Sequence, residues 1–136
     1  MDTAFELRDH TADVAVAAEG ATLEAVFGAL GDGLAAAQCD SIPETGERFA
    51  FSITAESPEA LLFDYLDELI YERDVRSVLP VGNEVRIDPE EWQLDASARG
   101  VPLDGIEARE VKAVTYSEMR LEEVEGGWEA YVVLDV

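Results

Sequence analysis

Apolar residues along this chain follow a helical spacing in some segments and alternate with polar residues, as in strands, in others. This change of spacing constrains the fold more than any single motif. Apolar residues recur at helical spacing from Leu23 to Leu34, directly after Thr22, and predict a helix over about 23–37. Ser57 and Pro58 supply the cap and the first-turn proline of a second helix, which is expected to end near Arg73. Its predicted buried face is Leu61, Leu62, Tyr65, Leu66, Leu69 and Ile70, and its predicted solvated face holds Asp64, Asp67, Glu68 and Glu72.

Three glycines, Gly28, Gly31 and Gly33, interrupt the first predicted helix. Glycine lowers the intrinsic stability of a helix, so tertiary packing must hold this segment. Their spacing lacks the pattern of a phosphate-binding loop. We therefore expect close packing of another element against the helix backbone.

The other apolar residues alternate with polar ones, as they do in half-buried strands. Strands are predicted at 14–18, 49–53, 85–87 and 92–98, and a hairpin joins 111–124 to 128–135 around Gly126-Gly127. In the last strand Trp128, Ala130, Val132 and Leu134 share one face, which places Asp135 on the other. Residues 100–110 are predicted to form a loop. The order β-α-β-α-β-β-β-β predicts one α+β domain over 1–136, with two helices covering one side of a mainly antiparallel sheet.

The charge of the chain is strongly acidic and evenly spread. Its net charge is −22, from 31 acidic residues against nine basic ones. Hydrophobic residues make up 48%, enough to form a core, so disorder is not expected. Dispersed acid with almost no lysine is typical of proteins from a salt-loaded cytoplasm, a halophilic-type proteome. Because no basic stripe can follow a phosphate backbone, direct nucleic-acid binding is not expected.

Cysteine content and apolar runs indicate the compartment. Cys39 is the single cysteine, so no intrachain disulfide can form, and we expect it to pack or to line a loop. No apolar run approaches about 18 residues, and no basic-plus-apolar leader opens the chain. We expect a soluble, cytoplasmic protein without membrane contact.

Lys112 is the only lysine in the chain, among eight arginines. Arginine is a planar, always charged fork, whereas lysine is a compact ammonium on a flexible stem. A chain that has otherwise dispensed with lysine favours a role for Lys112 that arginine cannot fill. The alternative is that Lys112 is an ordinary surface residue.

Two aspartates near the chain ends are candidate metal ligands. Asp13 follows the only histidine, His10, and Asp135 is the penultimate residue. Divalent cations such as Mg²⁺ and Ca²⁺ prefer oxygen ligands. Asp13 and Asp135, with a carbonyl or the terminal carboxylate of Val136, would form a weak site suited to a cation shared with a partner. Lys112 beside them would limit their repulsion or reach a phosphate.

Several motifs together resemble the archease family. They are Asp9-His10-Thr11-Ala12-Asp13-Val14, the helix start at 22–25, Lys112-Ala113-Val114-Thr115-Tyr116 and the terminal Leu134-Asp135-Val136. They occur in the family's order, and the length fits from end to end. One departure is Ser117, where family members often have histidine.

The resemblance implies an archease-type α+β fold and a function in tRNA splicing. It implies a non-enzymatic cofactor that promotes guanylylation and multiple turnover of the RtcB-type RNA ligase, with GTP reached only through the ligase. Asp13 and Asp135 match the family's metal-site aspartates, with Val136 beside them, and the cation would be Ca²⁺, Mg²⁺ or Mn²⁺. Lys112 matches the lysine needed for ligase activation. Asp9 and His10 are secondary candidates.

Two other function classes stay open. One is a general chaperone or specificity modulator of a tRNA-modifying enzyme, which needs an apolar docking patch. The other is a metal-dependent hydrolase acting alone, for which the sequence offers no general base beyond the same two aspartates.

Overall fold

The structure of the protein, a computed structural model, describes residues 3–10 and 13–136, except the side chains of residues 9 and 10. Seven strands and two α-helices follow along this part of the chain. They are β1 (Ala4–His10), β2 (Asp13–Gly20), α1 (Leu23–Gln38), β3 (Glu47–Thr54), α2 (Pro58–Arg76), β4 (Val78–Asp88), β5 (Gln93–Pro102), β6 (Ala113–Val124) and β7 (Gly127–Asp135). A short 3-10 helix, Leu103–Gly105, follows β5.

The strands form two antiparallel sheets. One has four strands in the order β1-β2-β7-β6, and the other has three in the order β3-β5-β4. The predicted α+β class and the packing of two helices on antiparallel sheets are confirmed, but the prediction of a single sheet is wrong. Alternation along a strand shows which residues share a face, but it does not show which strands pair.

Both helices begin where the sequence predicts. The Oγ1 atom of Thr22 accepts a hydrogen bond from the amide of Ala25, and the Oγ atom of Ser57 accepts one from the amide of Ala60. Helix α2 runs three residues beyond Arg73 and ends at Arg76, where Ser77 takes a left-handed conformation.

Most of the apolar core lies between the helices and the two sheets. It contains Val16, Val132 and Leu134 from the four-stranded sheet and Leu94 and Ala96 from the three-stranded sheet, packed on both helices. A smaller cluster of Ala35, Cys39, Leu79, Val81 and Val101 lies at the end of α1. Cys39, expected to pack or to line a loop, is buried in this cluster.

The glycines of α1 permit close packing, as the sequence predicts. A Cβ atom added at Gly33 would lie 2.5 Å from Cγ1 of Val16 in β2. One added at Gly28 would lie 3.1 Å from the carbonyl oxygen of Asn83 in β4. The backbone of α1 therefore approaches both sheets.

Several predicted boundaries are wrong. Strand β1 was not predicted, although Phe5 and Leu7 alternate with Glu6 and Arg8 there; it is an edge strand. Strand β4 begins seven residues earlier than predicted, because the left-handed Gly82 lies within a register shift that hides the alternation. Strand β5 continues to Pro102, so the predicted loop over 100–110 is shorter.

The C-terminal hairpin around Gly126-Gly127 is confirmed, but β6 contains a wide irregularity. Thr115 pairs with Val133, and the next pair is Arg120 with Tyr131, so residues 116–119 bulge from the ladder. The ring of Tyr116 stacks on Phe63 of α2 with centroids 4.0 Å apart. Ser117 is exposed within the bulge.

The α-helices within the described part of the chain are α1 and α2. Neither α1 nor α2 combines the length and the apolar character that a membrane span requires.

Candidate functional site

The two candidate aspartates meet at one end of the four-stranded sheet. Asp13 begins β2 and Asp135 ends β7, and the antiparallel register pairs them directly. Opposed residues of antiparallel strands share a face, with Cβ atoms roughly 4.5–5.5 Å apart. Their neighbours Val14 and Leu134 pack in the core, so the aspartates lie on the face directed away from the helices. Asp13 is half-buried and Asp135 is exposed.

Lys112 lies beside this pair through its backbone. Its amide donates a hydrogen bond to the carbonyl oxygen of Asp135 at 2.8 Å. The next residue, Ala113, pairs with Asp135 across β6 and β7. The preceding residue, Val111, is fully buried, whereas Lys112 itself is exposed. The fold thus brings together three residues that are far apart in sequence.

The other predicted site residues lie at the same sheet end. Val136 directly follows Asp135 and is exposed. His10 pairs with Asp13 across β1 and β2, and Asp9 pairs with Val14. The side chains of Asp9 and His10, like Thr11 and Ala12 of the same motif, lie outside the described residues. Their assignment as secondary candidates stays a prediction.

Two carboxylates lie directly opposite each other at this sheet end. Two like charges directly opposite each other in a sheet destabilise it. Carboxylates are also the preferred ligands of Ca²⁺ and Mg²⁺. Within 3–10 and 13–136, no group of three or more histidine, cysteine, aspartate or glutamate residues is placed to hold a metal ion. The donor set therefore fits a weak, open cation site, completed by water, by Val136 or by a partner, and its assignment stays a prediction.

Two concave surfaces lie away from the aspartates. A groove of about 300 Å³ crosses the same outer face of the four-stranded sheet, where Arg120 lies over the ring of Tyr131. A cleft of about 580 Å³ lies between the end of α1 and residues 105–109, beside the ion pair of Asp40 and Arg109. Neither includes Asp13, Asp135 or Lys112 among its lining residues.

A second pair of acidic residues, Glu68 and Glu72, lies on α2. The predicted exposure of Glu72 is wrong. Glu72, predicted to be solvated, is buried and forms a 2.7 Å ion pair with Arg76, whereas Glu68 is half-buried. Burial, the hydrogen bond to Glu72 and the charges of Glu72 and Asp67 raise the pKa of Glu68 to about 7. Burial opposes ionisation of Glu72, but hydrogen bonds from Glu68 and Arg76 outweigh it and lower the pKa of Glu72. Glu68 therefore keeps its proton to a higher pH than Glu72 does.

The sequence did not predict two buried polar residues, Arg73 and Gln38, that lie next to the backbone preceding Lys112. Arg73 and Gln38 are 8% and 2% exposed, and a hydrogen bond of 2.8 Å joins them. The same guanidinium donates to the carbonyl oxygen of Val111 at 2.8 Å. Arg73 continues the buried helical spacing of Leu66, Leu69 and Ile70, and this was the available signal.

The fold and this site define a class of small α+β proteins in which two helices pack on two antiparallel sheets and two acidic residues pair at one sheet end. Residues 5–136 match the model of the Archease protein family. The chain belongs to the archease family.

Curated relatives and solved structures agree with this assignment. The chain is 36% identical to an archease from Thermococcus gammatolerans and 34% identical to one from Methanosarcina mazei, over 97% of this chain and 98% and 95% of those proteins. It is similar to the solution structure of Methanobacterium thermoautotrophicum protein 1598, with a TM-score of 0.84, 36% identity and coverage of 97% and 98%. The crystal structure of a Thermotoga maritima archease, described as a possible chaperone, shares the fold, with a TM-score of 0.68, 24% identity and 96% coverage of each chain.

Proposed function

We propose that this protein activates an RtcB-type RNA ligase in tRNA splicing, by promoting guanylylation of the ligase and its multiple turnover. The observation that carries the proposal is the pairing of Asp13 with Asp135 beside the backbone of Lys112. Membership of the archease family supports it. The protein acts as a non-enzymatic cofactor, since the ligase brings both the GTP and the nucleophile that accepts the guanylyl group.

The proposed site holds a divalent cation, Ca²⁺, Mg²⁺ or Mn²⁺, between the carboxylates of Asp13 and Asp135, with Val136 as a further oxygen ligand. When bound, such a cation orients and neutralises phosphate oxygens. Lys112 offers its ammonium to a phosphate as a compact charge. Because the aspartates are at the end of the sheet and Asp135 is exposed, a ligase active site can approach them.

The surface charge supports a protein partner and not a nucleic acid. With only nine basic residues and a net charge of −22, the chain lacks the basic stripe that binds a phosphate backbone, so RNA meets the ligase and not the activator. The same dispersed acid supports a salt-loaded cytoplasm as its location, where surface repulsion is screened.

A second candidate function is a chaperone or a specificity modulator of a tRNA-modifying enzyme. Tyr71 and Val75 favour it, because they lie one turn apart on α2 and are 57% and 62% exposed. An activity of this kind requires those two residues and not the aspartates. Tyr71→Ser with Val75→Ser therefore separates the two candidates from Asp13→Ala with Asp135→Ala.

The experiment that tests the proposed function is RNA ligation by the cognate ligase at high potassium, under single-turnover and multiple-turnover conditions. We expect the ligase alone to stop after about one turnover and the wild-type protein to restore many. We expect the doubly substituted aspartate variant to restore none and the Tyr71→Ser, Val75→Ser variant to match wild type. Equal turnover with and without the protein would contradict the proposal.

A further inference from the structure

The peptide bond between Val111 and Lys112 is held on both sides by groups from other elements. Its carbonyl oxygen accepts a hydrogen bond from Nη1 of Arg73 at 2.8 Å. Its amide donates to the carbonyl oxygen of Asp135 at 2.8 Å. This one peptide therefore links Arg73 of α2 to β7, the strand that ends at Asp135.

Arg73 is itself held in one orientation. Its side chain is 10% exposed, and Nη1 donates a second hydrogen bond, to Oε1 of Gln38 at 2.8 Å. Nε and Nη2 both contact Oδ1 of Asp74, at 3.0 and 2.9 Å. The two edges of the planar guanidinium thus have separate partners, and this fixes the rotation of the group.

Gln38 gives the arginine a rigid support. It is the last residue of α1 and is 2% exposed. Its side-chain Nε2 atom donates a hydrogen bond to the main-chain carbonyl oxygen of Leu34 at 3.1 Å. The main-chain carbonyl oxygen of Gln38 accepts a hydrogen bond from the main-chain amide of Arg109. The orientation of the Val111–Lys112 peptide therefore depends on the end of α1 through two buried side chains, Gln38 and Arg73.

We infer that Arg73 is a positioning residue, which holds the backbone of Lys112 against the strand end that carries Asp135 and so fixes where the lysine side chain leaves the fold. The inference rests on the proposed function, because Lys112 has a task only if the site acts on the ligase. Arg73 is buried, so it acts through Lys112 and does not touch the partner. A lysine at 73 would retain the charge but could not bond Gln38, Val111 and Asp74 together.

The first test measures amide hydrogen exchange in Arg73→Lys and Arg73→Met, with Arg48→Met as the matched control. Arg48 bonds Gly82 and Ser97 on the three-stranded sheet, away from Lys112. We expect the Lys112 amide to exchange at least about tenfold faster in both Arg73 variants, relative to core amides such as Val132, and to be unchanged in Arg48→Met. Unchanged exchange at Lys112 would overturn the positioning role, and the core amides detect a variant that is globally unstable.

The second test titrates each variant into the cognate ligase and follows the rate of guanylylation. We expect Arg73→Lys to lower the maximal stimulation about tenfold while the half-saturating concentration stays within about twofold, because the docking surface is unchanged. Lys112→Ala is measured in parallel. Loss of stimulation in Lys112→Ala with full stimulation in both Arg73 variants would overturn this inference alone. Full stimulation in Lys112→Ala would remove the role of Lys112 and the positioning role of Arg73 with it, whereas an absence of stimulation by the wild-type protein would overturn the proposed function.

Discussion

Lys112 combines an exposed side chain with a fixed backbone. Its amide is bonded to Asp135 and the preceding carbonyl to Arg73, while its side chain is open to a partner. An exposed residue of this kind contributes little to folding, because surface substitutions usually change stability by at most about 0.5 kcal/mol. Stability and activation can therefore be separated at this position.

We predict that Lys112→Ala keeps the free energy of unfolding within about 0.5 kcal/mol of wild type yet abolishes ligase stimulation. Lys112→Arg should restore stimulation poorly, since the guanidinium differs from the ammonium in shape and hydration. Urea denaturation and ligation assays on the same preparations measure both effects. Arg86→Ala, an exposed substitution on β4, is the control. Wild-type stimulation by Lys112→Ala would make Lys112 an ordinary surface residue.

At Glu68 the structure predicts a dependence of stability on pH. Its pKa is raised from 4.5 to about 7, so the folded protein binds this proton more tightly than the unfolded chain. The stabilisation is complete below about pH 4.5 and is lost as the pH rises through 7. We predict that the Tm of Glu68→Gln, relative to wild type, rises between pH 5 and pH 8. Melting curves at molar KCl measure this, with Glu59→Gln, an exposed glutamate of α2, as the control. A parallel pH profile for wild type and Glu68→Gln would contradict it.

At the residue scale, the sequence identified the exposed site residues better than the buried polar ones. Asp13, Asp135 and Lys112 stand out because of their motifs and the rarity of lysine, and the strand register brings them together. Glu72 was predicted to be solvated, although its partner Arg76 lies four residues further along the same helix. Arg73 was not identified, because charged residues are rarely buried without a partner and its partners Gln38 and Val111 come from elsewhere in the fold. Such partners cannot be identified from the spacing on one helix.

Helix α1 shows how packing against two sheets opposes local helix propensity. We predict that Gly33→Ala lowers the free energy of unfolding by roughly 1–2 kcal/mol. The new Cβ would lie 2.5 Å from Val16, and the resulting overpacking outweighs the gain of about 1 kcal/mol in helix propensity. Urea denaturation measures the change. Gly105→Ala, where an added Cβ meets no atom within 4 Å, is the control, and a Gly33→Ala variant more stable than wild type would contradict the packing account.

At the element scale, the helices were predicted more accurately than the strands. The caps at Thr22 and Ser57 act locally, so the sequence contains the whole signal for where a helix starts. Strand boundaries depend on partners, and at Gly82 and at residues 116–119 a bulge interrupts the alternation. The division into two sheets is a property of pairing over long distances, which alternation does not encode.

For the whole molecule, the net charge of −22 predicts stabilisation by salt. The Debye length falls from about 10 Å at 0.1 M to about 3 Å at 1 M, so salt screens the repulsion between surface carboxylates. We predict that the Tm rises steadily from 0.1 M to 2 M KCl, by roughly 3–5 °C for each kcal/mol of repulsion removed. Scanning calorimetry at increasing KCl measures it. A Tm independent of KCl would show that the charge has no role in adapting the protein to salt.

The proposed function requires that the protein activates a ligase without catalysing a reaction itself. Transfer of labelled GMP from α-labelled GTP tests it most directly, with Mg²⁺ or Mn²⁺ present. We expect the protein alone neither to hydrolyse GTP nor to become labelled, because the proposed function assigns the carboxylates of Asp13 and Asp135 to a cation and leaves the nucleophile to the ligase. With the ligase added, the labelled ligase fraction should rise, and Asp13→Ala or Asp135→Ala should remove the rise. Robust GTP turnover by the protein alone, lost in the same two variants, would contradict the account.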